Sequence, residues 1–388
     1  MNRSTFLECF GYNPGIIMRF ALLGNHPDGL AFAQALCATG RHELAIVQGT
    51  EPPGFAPSAR ANPDLEEVLA APDIKTVIVA GALSVRAEQL RRALQSEHDV
   101  LCVHPCSEKP DAAYEAALIR DETGRRLLPL LPDALHPAYR RLRELVGDER
   151  IGFRTADGPF RLLNWEWWTK GTVEPEQFDL AWSVLRFLGG EIVEVSGLAA
   201  AVEIQNTLPV AVSGVFEKGG LFEGTLLPSA YEERLRLTIH GDFAVAILDG
   251  PEADGSAKLC WRGLGTDWRE ESWPATNRWQ ALIEIVTSED DVSDKLSWED
   301  EVRCLELADG LRRSVEKRRT SGLEYQEISE EVGSKGTLTL IGCAMIWLML
   351  FIFMLSIWVP WLRWAIVPLI AGFLLLVGLN RLGRGKPE

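Results

Sequence analysis

Residues 19–30, with the sequence RFALLGNHPDGL, decide the fold of this chain. The apolar run Phe20–Leu23 predicts a strand that is buried on both faces, as the strands of parallel sheets are. Asp28 then opens a helical stretch, because an aspartate caps the first turn of a helix well. A strand, a tight turn and a helix in this order form the first unit of an α/β domain.

The same alternation continues to about residue 147. Short apolar runs predict further strands and amphipathic stretches predict helices, which together indicate a parallel sheet with right-handed crossovers. The predicted strands are Glu43–Val47, Thr76–Ala80, Val100–Val103 and Leu127–Leu131, and the predicted helices are Asp28–Thr39, Leu65–Ala71, Ser84–Ser96, Asp111–Glu122 and Pro137–Val146.

The pattern changes after about residue 151. One predicted helix, Glu176–Leu188, precedes several strand-like runs that are separated by glycine-rich turns, which indicates an open antiparallel sheet in an α+β domain. A long amphipathic helix at Asp300–Arg318 closes it. The predicted strands are Glu191–Ala199, Leu208–Phe216, Gly220–Leu226, Arg234–His240 and Ala244–Leu248.

The chain ends in a very apolar tail. Residues 336–357 carry no charge over 22 positions, and residues 364–379 add another 16. A bilayer core requires roughly 20 apolar residues as helix, so the sequence predicts two transmembrane helices as a hairpin at 336–380. A helical hairpin buried in a soluble core is the alternative. The positive-inside rule predicts that the soluble domains face the cytoplasm, because only Arg363 lies in the turn on the far side of the membrane. The cations at the two ends of the hairpin, on the near side, are Lys335, Arg381, Arg384 and Lys386.

These patterns predict an order of domains along the chain. Met18 directly precedes the first strand, so either Met18 is the true start or the residues before it are a flexible extension. The predicted segments are an extension at 1–17, a Rossmann-like domain at 18–150, an α+β open-sheet domain at 151–320, a linker at 321–335, the hairpin at 336–380 and a cytoplasmic tail at 381–388.

Composition excludes several classes of protein. Hydrophobic residues make up 47% of the 388 residues and charged residues 24%, so the chain as a whole is not disordered. Its net charge of −16 argues against a nucleic-acid partner, which needs a basic surface. The seven cysteines form no CxxC pair and no Cys/His ligand spacing, so we expect no metal site and reduced thiols.

The turn after the first predicted strand partly matches a dinucleotide-binding fingerprint, G-x-G-x-x-G. Gly24 and Gly29 occupy the two outer glycine positions, but His26 stands at the middle one. A tight turn with a good helix cap and no nucleotide is the alternative interpretation. Gln48 stands where an acidic residue would hold the ribose; its amide could bind a ribose weakly and would not repel a 2′-phosphate.

The layout resembles the glucose–fructose oxidoreductase and inositol dehydrogenase family (Gfo/Idh/MocA) over roughly residues 18–325. The best-matching pieces are Val100–Pro105, Asp133–Arg140 with Ile151 and Gly152, and Leu305–Thr320. The resemblance implies hydride transfer with NAD or NADP on a sugar or polyol, and a homo-oligomer. It also implies cofactor contacts at Gly24, Asn25, His26, Gly29, Gln48, Ala80 and Pro105.

Catalytic residues of the family are not all matched. Where the family has Glu-Lys-Pro, this chain has Val103-His104-Pro105, so His104 becomes the candidate acid/base, since an imidazole titrates near neutral pH. The alternative is that His104 only fills the space of the lysine. The family's histidine on the second-domain helix is missing, and Asp179 lies there instead.

The aromatic cluster Asn164–Lys170 falls where the family's substrate loop runs. Its indole rings can stack on sugars, and an interface with another subunit is the alternative. The predicted substrate contacts are Trp165, Trp168, Lys170 and Asp179.

The sequence therefore predicts a membrane-anchored NAD(P)-dependent oxidoreductase acting on a sugar or polyol. A catalytically degenerate sensor or scaffold that binds a nucleotide or sugar at the membrane is the alternative, and a structural assembly protein that oligomerises through its open sheet is a third hypothesis. The expected partners are membrane lipid, a small sugar-like ligand and further copies of the chain.

Overall fold

The computed structural model describes residues 18–170, 175–199, 209–229, 234–252, 254–288, 296–318 and 321–322. The side chains at 170, 175–180 and 321–322 lie outside this description. All described residues belong to the first of two units of the chain, Met1–Glu324 and Tyr325–Glu388. The predicted extension at 1–17 lies outside the described residues.

Six parallel strands in the order β3-β2-β1-β4-β5-β6 form the first sheet, which is the order of a Rossmann fold. The prediction of a Rossmann-like parallel sheet is thereby confirmed. The strands are β1 (Met18–Gly24), β2 (His42–Gln48), β3 (Arg60–Ala61), β4 (Thr76–Ala80), β5 (Asp99–Val103) and β6 (Leu127–Leu130). The helices are α1 (Pro27–Ala38), α2 (Leu65–Leu69), α3 (Leu83–Gln95), α4 (Pro110–Thr123) and α5 (Pro137–Gly147), with a 3-10 turn at Asp133–Leu135 before α5.

Nine strands of the described residues form a second sheet, in the order β14-β13-β12-β11-β7-β10-β9-β8-β15. Its pairs are antiparallel except β7 with β10, which run parallel, so the sheet is mixed where an antiparallel one was predicted. The strands are β7 (Leu162–Lys170), β8 (Ile192–Ala199), β9 (Val210–Phe216), β10 (Leu221–Ser229), β11 (Arg234–His240), β12 (Val245–Asp249), β13 (Ala257–Arg262), β14 (Arg269–Trp273) and β15 (Ser321–Gly322). The helices are α6 (Pro175–Gly189), α7 (Gln280–Thr287) and α8 (Trp298–Lys317).

The tryptophan-rich segment at 164–170 is not a loop. It belongs to β7, which lies between β10 and β11 in the second sheet. Leu163 and Trp165 are buried on one face of this strand, and Asn164 and Glu166 alternate with them on the other. The period of two and the aromatic residues are typical of a half-buried strand, whereas the interpretation as a loop followed from the family resemblance. The sequence patterns also did not predict β13, β14 and α7.

Helix α7 comes late in the chain but packs in the core of the parallel sheet. The Trp279 ring meets the Phe32 ring of α1 edge to face, with 5.5 Å between ring centroids. Leu282 and Ile283 belong to the same buried cluster as Phe20. The Arg126 guanidinium, just before β6, donates to the last carbonyls of α7 at 3.2 Å, which satisfies groups that a helix end leaves open.

Helix α8 contacts both sheets. It begins with a capping box, in which Ser297 and Asp300 satisfy each other's backbone N–H groups. Leu311 packs so closely over β8 that a Cβ on Gly197 would lie 2.2 Å from its Cδ1 atom. At the other end, the Trp298 indole N–H donates to the carbonyl of Ala113 in α4 at 2.9 Å. The helix therefore fastens the second sheet to the Rossmann domain.

A buried acid and a buried histidine form the centre of this contact. The Nδ1 atom of His104 lies 2.5 Å from a carboxylate oxygen of Glu301, and the two side chains are 3% and 1% exposed. The other carboxylate oxygen accepts the N–H of Cys106 at 2.7 Å. Sequence reasoning named no partner acid for His104, because Glu301 lies 197 residues away along the chain.

None of the helices in the described ranges is both long enough and apolar enough to cross a membrane. The predicted transmembrane hairpin at 336–380 and the tail at 381–388 lie outside those ranges. Of the predicted linker at 321–335, only Ser321 and Gly322 are described, and they pair with β8.

Replacing Glu301 with alanine is expected to lower the free energy of unfolding by about 3 kcal/mol, because it removes the acceptor that both the His104 ring and the Cys106 amide use. Urea unfolding of the full-length chain, followed by tryptophan fluorescence, measures this. The control is Glu316→Ala, at an exposed position of α8, which should change stability by less than about 0.5 kcal/mol. Equal stability of the two variants would contradict the structural role of the pair.

Candidate functional site

A cavity of about 810 Å³ opens where the parallel sheet faces the second sheet. It begins at Pro132 and Asp133, just beyond the carboxyl end of β6, and extends to the inner face of β7 and β11. Ligands of open α/β sheets bind outside the carboxyl ends of the strands. The volume lies in the range of cavities that hold small organic ligands, so this cavity is the candidate functional site.

The cavity has one apolar wall. Trp165 and Trp167 of β7 lie in it beside Leu235 and Leu237 of β11, and Leu185 of α6 joins them. Trp165 and Leu237 are almost fully buried, because both belong to the core that also contains Leu185 of α6. Trp167 and Leu235 are only partly buried, and an indole face beside an aliphatic group forms a surface on which a ring can lie flat.

The opposite wall is polar and centres on Asp133. Its carboxylate lies 3.5 Å from the Arg278 guanidinium. Burial raises the pKa of Asp133, although Arg278 acts in the opposite direction. Its side chain is still 32% exposed, because it lines the cavity deep inside a cleft. A carboxyl group with a raised pKa is better suited to take up and release protons near neutral pH.

Arg278 connects the cavity with the start of α1. Its guanidinium lies 3.7 Å from the carboxylate of Asp28, in the first turn of that helix, and 4.7 Å above the Trp279 ring. The N-terminus of a helix attracts anions through its open N–H groups and its dipole. The guanidinium adds positive charge there and offsets the charge of Asp28.

His136 is a structural residue of this wall. Its Nδ1 atom accepts the N–H of Ala138 and so caps α5, while its Nε2 atom lies 2.9 Å from the carbonyl of Gly255. The two contacts require a neutral ring with its proton on Nε2. Burial lowers the pKa of His136, against the opposing effects of the Gly255 carbonyl and Asp133, which agrees with this neutral state.

The turn between β1 and α1 keeps two of the three fingerprint roles. Gly24 has a φ of +99°, and a Cβ there would lie 2.3 Å from the carbonyl oxygen of Ala80. At Gly29, a Cβ would lie 2.3 Å from the Cβ of Ala80, so this glycine lets α1 pack closely on β4. The middle position differs: the ring of His26 caps α1 by accepting the N–H of Asp28 at 3.3 Å.

The neighbouring positions predicted to bind a cofactor lie at the same edge of the sheet. Asn25 is exposed beside the turn. The amide of Gln48 is engaged at both ends, because it accepts from Gln89 at 3.1 Å and donates to the carbonyl of Pro63 at 3.3 Å. A ribose hydroxyl would therefore compete with bonds that already exist.

Pro105 is held by a buried arginine. The His104–Pro105 peptide is cis, and the carbonyl of Pro105 accepts from the Arg86 guanidinium at 2.5 Å. The same guanidinium donates to the carbonyl of Gly81 at 3.0 Å, so Arg86 ties together the segments that follow β4 and β5.

The structure separates the other predicted site residues. His104 faces Glu301 and does not line the cavity. Trp165 does line it, but Trp168 lies on the opposite face of β7, where Arg234 packs 5.6 Å from the centre of its ring. The side chains of Lys170 and Asp179 lie outside the described part of the chain.

Sequence reasoning missed Arg278 and the role of Asp133. Asp133 belongs to a stretch that was matched to the family, so its place after β6 was available as a signal. Nothing in the sequence indicates that Arg278 reaches the same place from the start of α7. Within the ranges that the structure describes, no three His, Cys, Asp or Glu side chains converge as metal ligands.

Lowering the pH below about 6.5 is expected to reduce stability through His136. The pKa of His136 is lowered in the folded state, so the unfolded chain binds more protons than the folded chain in this pH window. The contribution of His136 to stability is therefore complete above the pKa of the unfolded state. It is lost as the pH falls through the pKa of the folded state. In the variant His136→Asn, which keeps a capping acceptor but does not titrate, the fall between pH 7 and 5 should be smaller. Urea unfolding at several pH values measures this, and parallel curves for the two proteins would refute it.

No protein-family model matches the chain, and no curated protein matches it in sequence. Solved structures do match its fold. An NAD-binding oxidoreductase from Klebsiella pneumoniae has a TM-score of 0.66 at 13% identity, over 80% of this chain and 100% of its own. Levoglucosan dehydrogenase, solved with NADH and levoglucosan, has a TM-score of 0.66 at 13% identity, over 79% of this chain and 100% of its own. The WlbA dehydrogenase from Bordetella pertussis, solved with NADH and UDP-GlcNAcA, has a TM-score of 0.64 at 14% identity, over 80% of this chain and 99% of its own.

At these identities the likeness shows the fold alone. The chain shares the fold of these solved NAD-binding oxidoreductases and dehydrogenases.

Proposed function

We propose that this chain is an oxidoreductase that uses NAD or NADP to act on a sugar or polyol. The observation that carries the proposal is the cavity between the carboxyl edge of a Rossmann sheet and a tryptophan-bearing second sheet. The structural neighbours that were solved with ligands hold NADH together with a sugar-type molecule, which supports the same use here.

The residues at the carboxyl edge fit a dinucleotide. Gly24 and Gly29 keep the turn tight and α1 close to the sheet, as the first and third glycines of the fingerprint do. Arg278 brings positive charge to the N-terminus of α1, where a pyrophosphate would lie. Asn25 offers an exposed amide at the same edge, and Ala80 and Pro105 contribute backbone there. Gln48 would have to exchange one of its present hydrogen bonds for a ribose hydroxyl, and His26 stands at the position of the middle glycine.

The cavity supplies the groups that a sugar requires. The ring of Trp167, which is only partly buried, offers a flat face for the C–H groups of a pyranose, and the opposite wall offers hydrogen bonds. A bound nicotinamide would supply the hydride acceptor or donor. The Asp133 carboxylate, whose pKa is raised by burial, would take the proton of the reacting hydroxyl in oxidation and return it in reduction.

Three observations favour a second function, the binding of a nucleotide or sugar without turnover. His26 uses its ring to cap α1, and Gln48 is engaged at both ends of its amide. His104, which replaces the family's lysine, is buried against Glu301 away from the cavity. The chain would then act as a sensor or scaffold.

The proposal includes a membrane anchor and self-association. Residues 336–357 are uncharged over a length that spans a bilayer, so we propose membrane lipid as a partner, with the preceding domains in the cytoplasm. Leu198 and Leu221 lie on the same open face of the second sheet and are 69% and 53% exposed. A second copy of the chain would cover them.

At least one of NAD, NADH, NADP and NADPH is expected to raise the melting temperature of the full-length chain, because a ligand that binds only the folded state stabilises it. In the variant His26→Gly, the freed N–H of Asp28 should strengthen binding, and loss of the cap should lower the melting temperature of the unliganded protein. The control is Glu149→Gly, at a side chain that is 74% exposed and lies outside the turn between β1 and α1, which should leave nucleotide binding unchanged. Differential scanning fluorimetry measures all three proteins.

The outcomes test nicotinamide binding. A shift in the natural protein supports this binding, which both functions allow. A shift that appears only in His26→Gly supports the degenerate function, and no shift in any protein with any of the four nucleotides contradicts nicotinamide binding.

The full-length chain is expected to stay in the membrane pellet after an alkaline carbonate wash, because its apolar tail would leave the bilayer only at a large cost. A version that ends at Lys335 should move to the supernatant. Immunoblots of the two fractions measure this, and release of the full-length chain would refute the anchor.

A further inference from the structure

Arg140 lines the cavity with an exposed side chain. It lies one turn after His136 on α5, so the two side chains share the face that borders the cavity. Within the described part of the chain, the Arg140 guanidinium makes no hydrogen bond, ion pair or ring contact. Other arginines of α5 are engaged, since Arg141 pairs with Glu271 at 2.9 Å and Arg143 packs 4.5 Å above the Phe187 ring.

Arg278 places a second guanidinium on the same polar wall. Its distances to Asp133 and Asp28 are 3.5 and 3.7 Å, longer than the 2.7–2.9 Å of a charge-assisted hydrogen bond. The guanidinium can therefore turn to a ligand without breaking a short ion pair.

Of the four acidic side chains that line the cavity, Asp249 is paired, because it accepts from Arg236 at 2.7 Å and from Arg234 at 3.0 Å. Glu252 and Glu284 are exposed, and Glu284 accepts from Gln280 at 2.9 Å. Arg140 is exposed as well, so together with Arg278 it offers positive charge at the edge of the cavity to a ligand that carries a negative group.

We propose that the substrate is a sugar that carries an anionic group, a carboxylate or a phosphoryl group. This group binds the Arg140 guanidinium, with Arg278 as the second cation, while the sugar ring lies against Trp167, the partly buried tryptophan of the apolar wall. Arginine suits both groups, because its planar fork donates two parallel hydrogen bonds to their oxygens. The inference rests on the proposed use of this cavity for a sugar, but it does not depend on the cofactor.

Isothermal titration calorimetry of the full-length chain in detergent, without any nucleotide, tests the inference. The probes are D-glucuronate, D-glucose 6-phosphate and D-glucose, which share a pyranose and differ in the anionic group. At least one anionic probe should bind about tenfold more tightly than D-glucose, and the tighter of the two identifies the group. Arg140→Gln should remove this preference. The matched control Arg150→Gln, which changes net charge equally at a side chain that is 90% exposed, should keep it.

The inference is overturned if neither anionic probe binds more tightly than D-glucose, or if the preference survives in Arg140→Gln. Because no nucleotide is present, both results are independent of nicotinamide binding. A chain that prefers the anionic probes and ignores NAD and NADP would support the anionic site and contradict the dehydrogenase.

Discussion

A carboxylate that is fully removed from water must find its hydrogen-bond donors inside the protein. Glu301 finds them at the end of β5, in the imidazole of His104 and the N–H of Cys106. Because Glu301 belongs to α8, which also packs on β8, this requirement holds the second sheet at the carboxyl edge of the first. The cavity lies between the two sheets, so its shape depends on this contact.

Local patterns made the parallel sheet predictable. Phe20–Leu23 and Thr76–Ala80 are apolar at every position except Thr76, and such runs become central strands in almost any parallel sheet. The helices between them also followed from short-range signals. Segment 164–170 shows the limit of this prediction. Its alternation of buried and exposed residues indicates a strand, but the family resemblance assigned it to a loop.

The functional residues were harder to predict because they meet across long stretches of chain. Glu301 reaches His104 across 197 residues, and no sequence pattern links them. Arg278 and Asp133 likewise come from different elements and meet only because α7 packs beside α1. The turn between β1 and α1 was easier to predict from the sequence. Gly24 and Gly29 retain the packing roles of the fingerprint glycines. His26 caps α1 at the position where the fingerprint would present backbone to a ligand.

The position of α7 affects the order in which the protein can fold during synthesis. Trp279 and Leu282 cover apolar side chains of the Rossmann sheet, but the ribosome makes them more than a hundred residues after β6. A nascent chain that has just completed α5 leaves Phe32 without its aromatic neighbour. The N-terminal domain must therefore wait for most of the second sheet to be translated before its own core is closed, so the two domains mature together.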